Sequence, residues 1–487
     1  MTASTIVFIG YLAILIAIGM VTYARTKSHT DYTLAGRSNN KWIAAISAEA
    51  SDMSGWLLMG LPGAAYFSGF ASIWIVIGLI FGTLANWVFI GNRLRIATES
   101  YQAFSMTEFF EKRVNDKKGH VALISGVAII VFMIINASAE IIGSGKLLNA
   151  IFGLPYEKGI LVGVAVVIVY TFLGGYMAVS WSNLFQGTLM FFAILFVPIA
   201  VLFKTGGITL AVDTLYKSSP SFFLFCNGQT GWPAVSTIFG GLGVGVCYFG
   251  MVHVLTCFMS IKHSSEIKDS TFIATTWVSL STLGAVMIGM LGACLFPAIE
   301  DPEQVFFIMG RDYFPPYLLG LFAAAVMAAI LSSVSAYVIV ATGAFGANII
   351  KKLSGETNDK KLVMIERASV IVISFLAFLI SLKPDVVFKV ALLASAGLGA
   401  SFGPLVLFSL YSKKLNKTGA IASILTGLVV VIVWYYSGLS NYIYEVIPGF
   451  LASGAALILF TRLSGGADAD SVRQYESYRK KLKNKGA

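Results

Sequence analysis

The residues best equipped for chemistry lie in one short stretch, Ser47-Ala-Glu-Ala-Ser-Asp-Met-Ser-Gly-Trp56, which runs on to Gly60-Leu-Pro-Gly63. It carries two carboxylates, Glu49 and Asp52, and three serines inside an otherwise apolar run. A carboxylate at membrane depth costs a few kcal/mol or more, so it normally faces a bundle interior or a water-filled cavity. Gly55, Gly60, Pro62 and Gly63 weaken the helix that would carry them. A break near Asp52–Gly55 frees backbone carbonyls on one side and N–H groups on the other. Free carbonyls suit a hard cation, and the start of a half-helix suits a carboxylate. The competing reading is a small-residue packing interface whose Asp is paired internally.

Two other stretches share this character. Gly240–Gly250 holds five glycines in eleven residues, which weakens a helix and permits close backbone approach. It lies five apolar runs after the first, and interrupted helices in corresponding positions of two repeats point to a transporter's binding site. An odd offset makes the second repeat inverted. No residue-level repeat accompanies the pattern. Farther on, Ala329, Ser332 and Ser333 stand at i, i+3 and i+4 and share one helix face. One carbonyl and two hydroxyls from that face, with the carbonyls of Ala50 and Met53, make five neutral oxygens. Such a set suits a partly or fully dehydrated Na+. Serines on a membrane helix also serve simply as packing residues.

The elements that must position these groups follow from composition. The 487 residues are 57% hydrophobic and only 12% charged, with a mean hydropathy of +0.81. A soluble domain carries about 25% charged residues, so a secreted, disordered or ordinary cytosolic protein is excluded. Thirteen apolar runs are long enough to cross a bilayer: 4–24, 42–67, 71–92, 121–145, 159–178, 183–203, 233–260, 271–296, 317–349, 363–382, 386–411, 418–437 and 442–461. The first has no Lys or Arg before it, while Arg25 and Lys27 follow it, the reverse of a signal peptide. With the N-terminus outside, 27 of the 34 Lys and Arg fall on the cytoplasmic side. That bias supports an odd number of spans and a cytoplasmic C-terminus. It also explains the net charge of +10 by topology, with no nucleic-acid partner implied. Cys226, Cys247, Cys257 and Cys294 show no paired spacing, hence no disulfide framework or metal cluster.

The expected fold is therefore an all-α integral membrane bundle with one transporter domain over 1–462. Segments 204–232 and 297–316 are long outer loops, the second acidic. The basic tail 463–487 reads as a solvated cytoplasmic helix near anionic lipid. A channel would need a continuous polar pore rather than isolated polar patches. An enzyme is disfavoured as well: His120, His253 and His263 form no HExxH, and no nucleophile or phosphate-loop motif stands out.

The chain resembles the sodium/solute symporter family, most closely its bacterial sodium/proline branch. The likeness rests on Asp31-Tyr32 through Gly36-Arg37, Ala50 through Gly63, Tyr170 through Trp181 and Met327 through Ser332. It implies a five-plus-five inverted-repeat core with broken helices, over about 42–203 and 233–411. By that resemblance the sodium site maps onto the carbonyls of Ala50, Met53 and Ala329 and the hydroxyls of Ser332 and Ser333. Asp52 maps onto a coupling carboxylate, and Ser54, Gly55, Trp56 and Tyr248 onto the substrate region. Na+ is the coupling ion implied, with no organic cofactor, no obligate protein partner and a small amino acid, proline foremost, as substrate. A sodium- or proton-coupled symporter for another small amino acid or related solute is the alternative. Several positions depart from the branch. Asn136, Val244, Met251 and Val252 replace its Tyr, Trp, Gln and Pro. Asn183 replaces an Asp, and Ala336 replaces a hydroxyl that some members offer. Glu49 and Glu140 replace glycines and add two ionisable groups at membrane depth.

Overall fold

The computed structural model describes residues 3–25, 29–207, 220–350 and 358–484, together with 209, 213 and 216. The charges read at Lys27, Lys217, Lys351, Lys352 and Lys485 lie outside the described residues, as do the side chains of Arg25, Tyr170 and Leu173. The helices in chain order are α1 (Ala3–Arg25), α2 (Lys41–Asp52), α3 (Leu61–Ser68), α4 (Ile73–Ala85), α5 (Asn92–Ser100) and α6 (His120–Phe152). Then come α7 (Tyr156–Lys204), α8 (Trp232–Val246), α9 (Val252–Ser260), α10 (Ile267–Leu295) and α11 (Pro316–Gly343). The chain ends with α12 (Asp359–Ser381), α13 (Val387–Tyr411), α14 (Lys417–Tyr436), α15 (Val446–Leu463) and α16 (Ala469–Asn484). Helices suit an apolar surround because they satisfy their own backbone groups.

Among the described residues eleven helical stretches are long and apolar enough to cross a membrane. One of them, Trp56–Ser100, contains two passes, separated at Gly69, where φ is 57°. A further pass is the part of α7 before Gly175, whose φ of 58° breaks that helix. The plan thus has thirteen passes. The boundary expected near 178–183 falls instead at Gly175, because a positive φ is accessible there to glycine alone at no steric cost.

Burial sorts the passes into core and rim. In the stretch containing α11, 83% of the most apolar window is buried, against 28% for the stretches at α1 and α15. The helix bearing Ser332 and Ser333 is therefore central, packed against α6, α7 and α1. The apolar faces of α1, α14 and α15 are left for lipid.

The glycine-rich stretch differs from its reading. α8 runs unbroken through Gly240, Gly241, Gly243 and Gly245 and ends only at Cys247. A Cβ on Gly78 or Gly82 of α4 would collide with the carbonyl oxygens of Gly241 or Gly245. These glycines serve close helix approach, as small residues do in membranes. The interruption lies just beyond, at Met251 (φ −70°, ψ 93°), between a short 3-10 turn and α9. The acidic outer segment also folds: Pro302–Gln304 is a 3-10 turn and Val305–Tyr313 a helix. The tail is not a freely solvated helix. Ser471, Tyr475, Tyr478 and Leu482 of α16 are buried, and Arg113 stacks 4.7 Å from the Tyr475 ring.

Candidate functional site

Local hydrogen bonding explains the break in the second pass. Met53 ends α2 with ψ 71°, its N–H donating to the Glu49 carbonyl at 2.6 Å. The next N–H, of Ser54, turns back to the Asp52 carbonyl at 2.9 Å. The Ala50 carbonyl thereby loses the i+4 donor that an intact helix would supply. Hydroxyls from α11 replace it: Ser332 Oγ donates to Ala50 O at 2.6 Å, and Ser333 Oγ lies at 3.3 Å. Ser332 Oγ is also 2.8 Å from the Ala329 carbonyl. The expected sodium residues Ala50, Met53, Ala329, Ser332 and Ser333 are all fully buried, and four of them meet through these contacts. An oxygen set with no formal charge, at the C-terminal end of a half-helix, has the chemistry for a dehydrated monovalent cation.

Asp52 is buried and is held from the second broken helix. Tyr248 Oη donates to Asp52 Oδ2 at 2.5 Å, and His253 Nε2 lies 3.4 Å from Oδ1. The Trp56 indole N–H donates to the Asp52 carbonyl at 2.8 Å, fixing the ring against the break. Both interrupted helices thus converge on one carboxylate. A small cavity of about 20 Å³ lies beside it, lined by Asp52, Trp56, Val244 and Met251 with Phe388 and Ser395 among its other walls. That is room for about one water, so the site is closed around Asp52. Phe388 is one of its walls and packs against Trp56, with ring centroids 5.9 Å apart.

Glu140 of α6 sits on the other side of the break. Ser54 Oγ donates to Glu140 Oε1 at 2.5 Å and the Gly55 N–H to Oε2 at 2.8 Å. The N–H expected to await a substrate carboxylate is thus held by a carboxylate of the protein. Gly55 must be glycine here, since a Cβ would stand 2.9 Å from both Glu140 Oε2 and Ile330 Cγ1. Glu49 faces a different neighbour: the Trp87 indole N–H donates to Oε1 at 3.1 Å, and Oε2 is buried with no partner. Asn183 donates to Ser47 Oγ at 3.1 Å, and Ala336 lies buried on α11.

Several groups escaped the sequence reading. His253 carried a signal, a histidine two residues beyond the break, but figured only in the search for a metal motif. Phe388, Leu79, Ala391, Leu392 and Ser395 line the cavity with no distinctive type or spacing. Glu303 was read merely as part of an acidic loop. It is 5% exposed, receives the backbone N–H groups of Val387 and Phe388 at 3.3 and 3.2 Å, and pairs with Lys146 Nζ at 2.5 Å. It therefore joins the outer segment, α6 and the start of α13 above the cavity.

Comparisons with known proteins place the chain in a family and a fold. The model of the sodium:solute symporter family matches residues 32–427. The high-affinity proline transporter of Bacillus subtilis (strain 168) is 37% identical over 471 residues, covering 95% of this chain and 99% of its own. The sodium/proline symporter of Staphylococcus aureus (strain JH9) is 37% identical over 472 residues, covering 93% and 91%. Among solved structures, a Na+-coupled sialic acid symporter in a substrate-bound outward-open state shares the fold. Its TM-score is 0.80 at 20% identity, covering 96% of this chain and 99% of that one. A nucleobase-cation-symport-1 family transporter in a closed conformation follows at a TM-score of 0.51 and 12% identity, covering 93% and 99%.

Proposed function

This chain belongs to the sodium:solute symporter family, and from that premise we propose that it imports proline across the cytoplasmic membrane together with Na+. The observation that carries the reading is the Ala50 carbonyl, freed by the helix break and met by the Ser332 and Ser333 hydroxyls. Na+ enters among these oxygens, with Met53 and Ala329 completing the set. It replaces the hydroxyl hydrogens at Ala50 and ties α2 to α11. Holding the two helices together favours the outward-open arrangement. Substrate then settles against Ser54, Gly55, Trp56 and Tyr248, where the two rings provide an apolar wall for a pyrrolidine.

Asp52 couples the two ligands. It ends the half-helix whose carbonyls hold Na+, and it is hydrogen-bonded to Tyr248 of the substrate wall. Each ligand then binds more tightly when the other is present. A membrane potential of 100 mV contributes about 2.3 kcal/mol per charge moved inward. The N-terminus lies outside and the C-terminus inside, so the inward Na+ gradient drives uptake.

The decisive experiment is uptake of labelled proline by proteoliposomes under an imposed Na+ gradient, compared with K+ or choline in its place. Accumulation only with Na+ is expected; uptake indifferent to Na+ removes the reading. A second reading, another small amino acid, draws on Val244 and Met251, which line the cavity where the proline branch carries Trp and Gln. A competition panel of amino acids against Na+-dependent proline uptake separates the two.

A further inference from the structure

We propose that Glu140 and Asn136 form the recognition pair for the substrate's charged head, with Glu140 taking the ammonium and Asn136 the carboxylate. The inference rests on the placement of substrate at Ser54 and Gly55. It reverses the polarity expected there, because the donors of that half-helix already serve a carboxylate of the protein. Glu140 is 1% exposed, with Ser54 Oγ at 2.5 Å on one oxygen and the Gly55 N–H at 2.8 Å on the other. Each oxygen keeps a further lone pair. The other charged side chains acting on it are Asp52 and Glu303, both acids. Among the described residues no Lys, Arg or His pairs with it.

A buried carboxylate without a cation is costly. An arriving ammonium supplies the missing charge at the moment of binding. Asn136 is the second, independent observation. It stands one turn before Glu140 on α6, at i and i+4, so both side chains share a face. The residue is 2% exposed, and its Nδ2 donor has no partner among the described residues. A buried amide donor left unpaired is unfavourable unless a ligand accepts from it. An acceptor and a donor one helical turn apart match the two ends of a zwitterionic amino acid.

Two proline analogues test this in the wild-type protein. Prolinamide keeps the amine and lacks the carboxylate; N-acetylproline keeps the carboxylate and lacks the amine. In competition with Na+-dependent proline uptake, prolinamide is expected to inhibit at about tenfold the proline concentration or less. N-acetylproline is expected to fail at about hundredfold, because a site built around a charged partner rejects an analogue lacking it. Equal inhibition by the two, or the opposite order, overturns the proposal. In Glu140→Gln the KM for proline should rise about tenfold or more. Discrimination between the analogues should shrink, while uptake at saturating proline remains dependent on Na+. Lost turnover with the wild-type ranking intact would make Glu140 structural and overturn it too. If the variant does not fold, the wild-type ranking decides alone. Should the protein show no Na+-dependent proline uptake at all, the functional reading fails separately. Thermal stabilisation of the purified protein by prolinamide but not N-acetylproline would still uphold the pair, and the reverse would sink it.

Discussion

At the scale of single residues, the site is defined by what happens to one carbonyl. Ala50 O is orphaned by the Ser54 turn and satisfied by two hydroxyls from α11. Ser332→Ala removes the shorter of the two hydrogen bonds and, on the proposed site, a cation ligand. It should raise the Na+ concentration for half-maximal uptake about tenfold, the equivalent of a net hydrogen bond to a charged group. Ser333→Ala, whose hydroxyl lies farther from Ala50, should have the smaller effect. A double variant with wild-type Na+ dependence in the uptake assay would remove both from the ion site. Asp52→Asn keeps the shape but not the charge that Tyr248 and His253 face. Na+-dependent uptake should fall to background while the protein still reaches the membrane, measured by immunoblot of membrane fractions beside the transport assay. The groups themselves were legible before any coordinates, because a carboxylate and paired serines stand out inside apolar runs; their roles are what these variants test. The packing of Phe388 against Trp56 was not legible, since a phenylalanine facing lipid and one beside a site look alike in sequence.

Among elements, the two broken helices divide the work. α2 and α3 part because Ser54 N–H turns back, and α8 and α9 part at Met251. Between them Asp52, Tyr248 and His253 connect the halves. The position of the first break followed from its small and polar residues. The second was misplaced by a few residues, because glycine serves both to break a helix and to let another helix approach, and spacing alone does not separate these uses. At the far end of the bundle from α16, Glu303 caps α13 and pairs with Lys146, joining the 297–316 segment, α6 and the turn before Phe388. That contact joins positions 157 residues apart, so no local pattern announces it. Lys146→Met leaves Glu303 buried without its cation, whereas Glu303→Gln leaves Lys146 with Asp301 at 3.2 Å. A double-mutant cycle with Lys146→Met and Glu303→Gln, read by thermal unfolding in detergent, should give a coupling of about 1–3 kcal/mol. Additive effects would mean the pair does not join these segments.

For the whole molecule, the contacts respect the alternation inferred from charge. Arg95 donates to the Ile261 carbonyl at 2.5 Å, Arg113 to the Ser409 and Ser412 carbonyls, and Lys41 pairs with Asp269 at 2.7 Å. Each joins segments that the span count places on one side, and the docked face of α16 gathers at that same end. Asp116 belongs there as well. Burial pushes its carboxyl up, but the Lys417 ammonium at 2.9 Å and the Val121 and Lys118 N–H groups outweigh it and hold the carboxyl below its usual value. A carboxylate lowered in the folded state stabilises the fold above the unfolded pKa and loses that contribution as pH falls through the folded one. Wild type should therefore melt higher than Asp116→Asn at neutral pH, and the two curves should converge below about pH 4, where the free aspartate protonates. The gap should be modest, because Lys417 is partly exposed to solvent and salt. A difference in melting temperature that persisted unchanged to acid pH would show that the Asp116 charge does not anchor α6 to α14. The same pair gives a sidedness readout, since acidifying only the compartment that Asp116 faces should reproduce the loss. On the proposed orientation, with the C-terminus inside, lowering the lumenal pH of right-side-out vesicles should weaken the protein, and lowering the external pH alone should not.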